Sequence, residues 1–174
     1  MKEAIIDIAR FMAVSARTAP KSKGEDFVTI EVLEGDKVTE IGQAMVRWGE
    51  ENGINGFIRD GRNVLASDAV VLVGIKDAEP LGLNCGACGF DLCTELLPEN
   101  KSQFKGPQCA FRLVDLGIAV GSAVKTASIL NVDNRIMYRI GMIARKREMI
   151  NDDVVLGIPL SAHGKNVYFD RKEQ

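Results

Sequence analysis

The sequence predicts a mixed fold, α/β or α+β, built around one main sheet. Three features lead there. Helix-like and strand-like segments alternate along the chain. Two short continuous apolar runs, 69–75 and 154–158, read as strands covered on both faces. The segment 108–130 has the length of a helix yet is apolar almost all round, which suits a helix central to its fold or shared with a second subunit.

The elements follow in order. In 3–17, Ala4, Ile5, Ile8, Ala9 and Met12 recur at three- and four-residue steps, predicting an amphipathic helix that Pro20 and Gly24 end. Arg17, Lys21 and Lys23 make the loop after it basic. Residues 27–33 predict a strand with Val28, Ile30 and Val32 on one face, and Gly35 turns the chain. Asp36 is the expected N-cap of a helix reaching about Glu51, with Val38, Ile41, Met45 and Trp48 as its stripe and Asn52-Gly53 as its stop. Residues 54–67 read as mixed, with a turn at Asp60-Gly61. After the strand 69–75, residues 76–107 carry no long apolar period, and a loop that long is usually functional. Beyond the apolar helix, Asn131 to Asn134 predict a break. Alternation of Ile136, Tyr138 and Ile140 then predicts a strand over 135–140, ended by Gly141. A short helix over 142–148, a strand from Val154 to Ile158 closed by Pro159, and a polar tail over 160–174 complete the reading. One domain, 1–174, with a cysteine-rich loop embedded at 76–109, is the expected organisation.

Composition narrows the function classes. The 174 residues include 22 Lys and Arg against 24 Asp and Glu, a net charge of −2 that argues against a dedicated nucleic-acid binder. The apolar stretch Leu116 to Val124 is too short to cross a bilayer, and no uninterrupted apolar run opens the chain, so a cytoplasmic protein off the membrane is expected. His163 is the only histidine, and no Ser or Cys pattern accompanies it, which argues against a nucleophile–His–acid triad. It reads as a solvated loop residue, Arg145-Lys-Arg147 as a solvated face, and Trp48 as core. Asp115 reads as a cap or a member of a polar network. No G-x-G-x-x-G follows a strand, so no dinucleotide fingerprint is supported.

The cysteines carry the chemistry. Cys85, Cys88, Cys93 and Cys109 are the only four, spaced C-x2-C-x4-C-x15-C within one seventh of the chain. Such local clustering differs from a secreted disulfide framework. Four thiolates are the full ligand set of a [4Fe–4S] or [2Fe–2S] cluster. Glycines at 82, 86 and 89 let the backbone bend around such a group and aim amides at its sulfides. Cys109 stands where the long helix begins, where free N–H groups favour a thiolate. Zinc also takes four cysteines, usually as two separated C-x2-C knuckles. Plain free thiols are the remaining alternative, and they leave the glycine-rich setting unexplained.

Asn84-Cys-Gly-Ala-Cys-Gly-Phe-Asp-Leu-Cys93 with Gly106-Pro-Gln-Cys109 resembles the four-cysteine ferredoxin domain of iron–sulfur electron-transfer proteins. With Ala16–Gly24 and Gly164–Arg171, the whole chain resembles a prokaryotic family described as ferredoxin-domain-containing proteins. A second resemblance is to the flavin-dependent nitroreductase fold. It rests on Thr18-Ala-Pro-Lys-Ser-Lys, Asp115-Leu-Gly-Ile-Ala and Val155-Leu-Gly-Ile-Pro-Leu with Lys165 and Arg171 beyond. It implies an α+β homodimer with a central sheet flanked by helices and FMN at the subunit interface, where Arg17, Lys21, Lys165 and Arg171 could meet the phosphate. The Arg-Arg-Ser-x-Arg segment with which nitroreductases bind that phosphate is absent, as is the Gln-Pro-Trp after Ala-Pro-Ser.

Three functions are therefore expected candidates. One is an iron–sulfur redox protein with a [4Fe–4S] cluster on Cys85, Cys88, Cys93 and Cys109, passing single electrons to FMN and a small substrate if a flavin binds. Another is a non-enzymatic zinc- or redox-sensing protein. The third is an FMN-dependent oxidoreductase whose cysteine loop is structural.

Overall fold

The computed structural model describes residues 1–170. Five helices surround a four-stranded sheet. The helices are α1 (Lys2–Thr18), α2 (Asp36–Asn52), α3 (Asn55–Leu65), α4 (Ala110–Ile129) and α5 (Tyr138–Lys146). The strands are β1 (Val28–Glu34), β2 (Ala69–Ile75), β5 (Asp133–Asn134) and β6 (Val154–Ser161), while β3 (Glu99–Asn100) and β4 (Lys105–Gly106) form a separate small hairpin. The sheet runs β1-β2-β6-β5 with every neighbouring pair antiparallel. The architecture is thus α+β.

Alternation along β2 divides the core. Ala69, Val71, Val73 and Ile75 face a layer made by α1 and α4, with Met12, Ala16, Leu116, Ala119 and Ala123 buried there. Val70 and Leu72 face the other side, against Ile41, Met45, Phe57, Ile140 and Ile143 of α2, α3 and α5. A strand apolar at every position is what burial on both faces requires. All seven β2 residues are buried.

Four local expectations need correction. Residues 54–67 hold a helix, α3, where a mixed segment with a turn at Asp60-Gly61 was expected. Its glycine serves packing: a Cβ on Gly61 would stand 2.9 Å from the Gly42 carbonyl oxygen of α2. The strand expected over 135–140 is absent. Met137 makes a single bridge to Gly157, and the chain then enters α5, which buries Ile140, Ile143 and Ala144 at helical spacing. Gly141 sits inside that helix because its Cβ would collide with the Val155 carbonyl 1.9 Å away. Pro159 does not close β6, which runs on to Ser161. Gly157 exchanges both backbone bonds with Met137 on the β5 side. By alternation the Pro159 nitrogen also faces that side, between β5 and the Met137 bridge, so no bond to β2 is lost. Finally, Gly35, not Asp36, occupies the N-cap of α2.

The sheet's Ile75 end positions the cysteine loop. There Val28, Ile75 and Val154 stand side by side in register. The chain leaves β2 at this rim, makes the excursion 76–109, and re-enters the fold as α4. Among the described residues no helix is long and apolar enough to cross a membrane.

Candidate metal centre

Asp153 ties the excursion down at both ends. Its backbone N–H donates to the Ile75 carbonyl at 2.7 Å, and its carboxylate accepts the Asp77 N–H at 3.1 Å and the Gln108 amide at 3.3 Å. Lys105, in the hairpin, reaches Asp77 at 3.0 Å and Asp153 at 3.2 Å. Arg145 adds bonds to the Gln103 carbonyl and the Asn100 side chain, both at 2.9 Å. This arginine, expected on a solvated face, is instead a strut under the hairpin. Its position on α5 explains the difference, since α5 packs beside β6 and points its last turn at the loop.

Within the excursion the backbone folds back on itself around the cysteines. Gly86 and Gly89 hold φ of 72° and 89°, a region that costs a residue with a Cβ, and the Gly89 N–H closes the turn on the Gly86 carbonyl at 2.9 Å. Asn84 and Cys93 bridge the loop: the Cys93 N–H donates to the Asn84 side-chain oxygen at 2.9 Å, and the Asn84 N–H points at the Cys93 sulfur at 3.3 Å. Cys93 then opens a single 3₁₀ turn, Cys93–Glu95.

All four cysteines line one shallow hollow. Pro80, Leu81, Leu83, Phe90, Leu96 and Phe111 supply its apolar walls. Cys85 is exposed, Cys88 and Cys93 are half-buried, and Cys109 is buried; none is in a disulfide. Among the described residues no three His, Cys, Asp or Glu side chains converge closely enough to hold one ion. Burial pushes the Cys109 thiol up, but the amides of Leu81, Arg112 and Phe111 and the Arg112 charge outweigh it and hold the thiol below its usual value. Cys109 is the N-cap of α4 and one of the residues that line the hollow. Four cysteines around one apolar-walled hollow, with backbone amides favouring the thiolate of Cys109, suit an iron–sulfur cluster.

The structure also reveals a buried polar group that spacing did not signal. Arg112 is 1% exposed. It donates to the Glu79 carbonyl at 2.8 Å, to the Ser22 carbonyl at 3.1 Å, to Asp115 at 3.3 Å and to Glu25. Asp115 accepts from the Ser22 N–H and hydroxyl at 2.9 and 2.8 Å, which is the polar-network role expected of it. Lys23 donates to the Leu81 carbonyl at 2.7 Å, so the 3₁₀ turn after α1 also buttresses the hollow.

The basic residues named for a flavin phosphate lie elsewhere. Arg17 binds Asp26 and the Val28 carbonyl, each at 2.7 Å. Lys21 has a side chain 6% exposed and donates to the carbonyls of Ala16, Arg17 and Ala19 at the end of α1, where the helix dipole favours a cation. Burial raises the Asp26 carboxyl, but Arg17, the Val28 amide and Lys21 together hold it below the usual range. Lys165 pairs with Asp170 at 2.8 Å with its side chain 73% exposed. The tail before it is fixed where His163 meets the Ala66 carbonyl at 2.9 Å, near the Ala69 end of β2, whereas Arg17 sits at the Val28–Ile75 end. Within one chain these cations occupy opposite ends of the strand. Arg171 lies outside the described residues.

The fold class is that of the nitroreductase-like proteins. The FMN-dependent nitroreductase of Mycobacterium smegmatis, solved in complex with NADPH, superposes with a TM-score of 0.64 at 10% identity, over 97% of this chain and 83% of that one. A nitroreductase-like family protein from Bacillus cereus gives 0.59 at 12% identity, over 97% and 79%. At the level of sequence, an uncharacterized protein of Archaeoglobus fulgidus is 51% identical over 165 residues, 94% of this chain and 89% of that relative. Residues 105–171 match the family described as "uncharacterized protein containing a ferredoxin domain (DUF2148)". The chain belongs to this ferredoxin-domain-containing family. The matched segment includes Cys109 and stops short of the other three cysteines.

Proposed function

We propose that the chain is a redox protein that holds an iron–sulfur cluster, of the [4Fe–4S] type, on Cys85, Cys88, Cys93 and Cys109. The observation that carries this reading is the one hollow that all four cysteines line. A cluster of four irons takes one thiolate per iron, and the four cysteines in this hollow are its full ligand set. Such a cluster takes up and releases one electron at a time. The chain's part is to hold the irons, exclude water with the buried Leu81 and Leu96, and offer backbone amides to the sulfur at Cys109.

Protein purified without oxygen, or reconstituted with iron and sulfide, is expected to be brown with about four irons and four sulfides per chain. Cys109→Ser should lose most of that iron while keeping the far-ultraviolet circular dichroism of the wild type. A colourless protein holding one zinc would overturn the reading and leave a metal-sensing role.

A second reading adds FMN and pairs two chains, and the nitroreductase-like fold supports it. The outward side of α4 suits pairing: Phe111, Val114 and Ile118 are exposed at three- and four-residue steps, and Gly117 and Gly121 have open space before them. For the phosphate to be met by Arg17, Lys21, Lys165 or Arg171, at least Arg17 and Lys165 must exchange a carboxylate partner for it. Bound flavin absorbance that survives replacement of all four cysteines by serine would favour this reading with a purely structural loop.

A further inference from the structure

We propose that Arg112 is a positioning residue for the cysteine centre, fastening the start of the loop to the first turn of α4 and biasing the centre toward its reduced form. The inference rests on the iron–sulfur reading and extends it to a residue outside the ligand set. Arg112 stands three residues after Cys109, and its Nε holds the Glu79 carbonyl at 2.8 Å, at the point where the loop turns into Pro80 and Leu81 of the hollow's wall. One side chain thus joins both ends of the excursion.

Its charge is placed as well as its hydrogen bonds. Arg112 is almost wholly buried, stacked 4.6 Å from the Phe27 ring centre, so water does little to screen it. Asp115 is buried with it, and Glu25 approaches from the half-exposed side. A four-thiolate cluster is anionic and gains one further negative charge on reduction, so a cation close to it favours the reduced state and its removal disfavours it. Asp115 and Glu25, both paired with Arg112, offset that cation, and Glu25 is the one within reach of solvent. Arg112 and Glu25 should therefore move the centre in opposite directions.

The test is a dithionite titration, with redox mediators, of iron-loaded wild type and three variants. Arg112→Gln should make reduction about tenfold less favourable, a potential lower by about 59 mV for one electron. Glu25→Gln removes a half-exposed carboxylate, leaves the loop anchor in place, and should make reduction several-fold more favourable. Glu51→Gln, on the exposed side of α2, should change nothing. Amide hydrogen exchange over 79–96 should quicken in Arg112→Gln and stay as in wild type in Glu25→Gln. If Arg112→Gln does not fold, the sign of the Glu25→Gln shift decides. Iron-loaded protein whose potential is unmoved by Glu25→Gln overturns this inference alone. Wild type that takes up no iron overturns it together with the cluster reading.

Discussion

Asp152 shows what burial does to a single carboxyl in this fold. It is packed against Gly74 of β2 so closely that a Cβ there would meet its Oδ2 at 2.2 Å, and the Thr29 hydroxyl donates to it. Burial pushes its pKa from 3.8 up to about 6; Asp153 and Glu31 add to the rise, and Lys76 and Arg145 oppose it. The folded state therefore binds this proton more tightly than the unfolded chain. Its contribution to stability is complete below about pH 4 and lost as pH rises through about 6, by up to about 3 kcal/mol. Asp152→Asn keeps an acceptor for Thr29 and never ionises. Its urea midpoint should exceed that of the wild type at pH 7.5 and equal it near pH 4. Single residues were unevenly legible. The cysteines announced themselves by spacing, because few chemistries need four thiols in 25 positions. Arg112 did not, since an arginine in an apolar helix looks like the exposed stripe until the fold buries it. Asp115 was read for a polar role because its helix offers so few other polar groups.

At the scale of elements, glycine accounts for what sequence reading lost. α2 and α3 approach through Gly42, Gly49 and Gly61, where any Cβ would meet a neighbour within 3 Å. Those same glycines weaken the local helical signal, so α3 looked like a turn. α5 and β6 meet in the same way through Gly141 and Gly157, the latter with a Cβ position 2.2 Å from Ile140. A glycine that reads as a stop is here a contact. Gly141→Ala should cost about 3 kcal/mol or more, because the obstacle is the Val155 backbone, which cannot swing aside. Chemical denaturation would measure it, with Gly164→Ala, whose added Cβ meets nothing within 4 Å, as the control. α1, α2, β1, β2 and α4 were legible because their apolar pattern is long enough to outweigh the close glycine contacts that α2 and β2 also carry.

For the whole molecule, the sheet with helices on both faces followed from the pattern of apolar runs, whereas the strand order did not. Nothing local in β6 tells the chain that it inserts between β2 and β5; that placement comes from satisfying both of its faces and both of its edges at once. The candidate site was legible as a set of ligands and illegible as a place, because Asp153, Arg145 and Arg112, which hold the loop, come from separate parts of the chain. The apolar side of α4 has its own test. If two chains pair there, Ile118→Glu should halve the mass seen by light scattering while leaving the circular dichroism intact. An unchanged mass would exclude that face.

The excursion begins and ends at the same rim of the sheet, with Asp153 gripping Asp77 on one side and Gln108 on the other. Its span is therefore fixed by the scaffold and not by its own contour. Doubling the contour of a closed segment costs only about 0.6 kcal/mol. Homologues can accordingly be expected to vary in residue number between Leu96 and Lys105 while every strand keeps its register. A graft of this segment onto another antiparallel pair would need those two anchor points reproduced together with the supports from Lys23, Arg112 and Arg145.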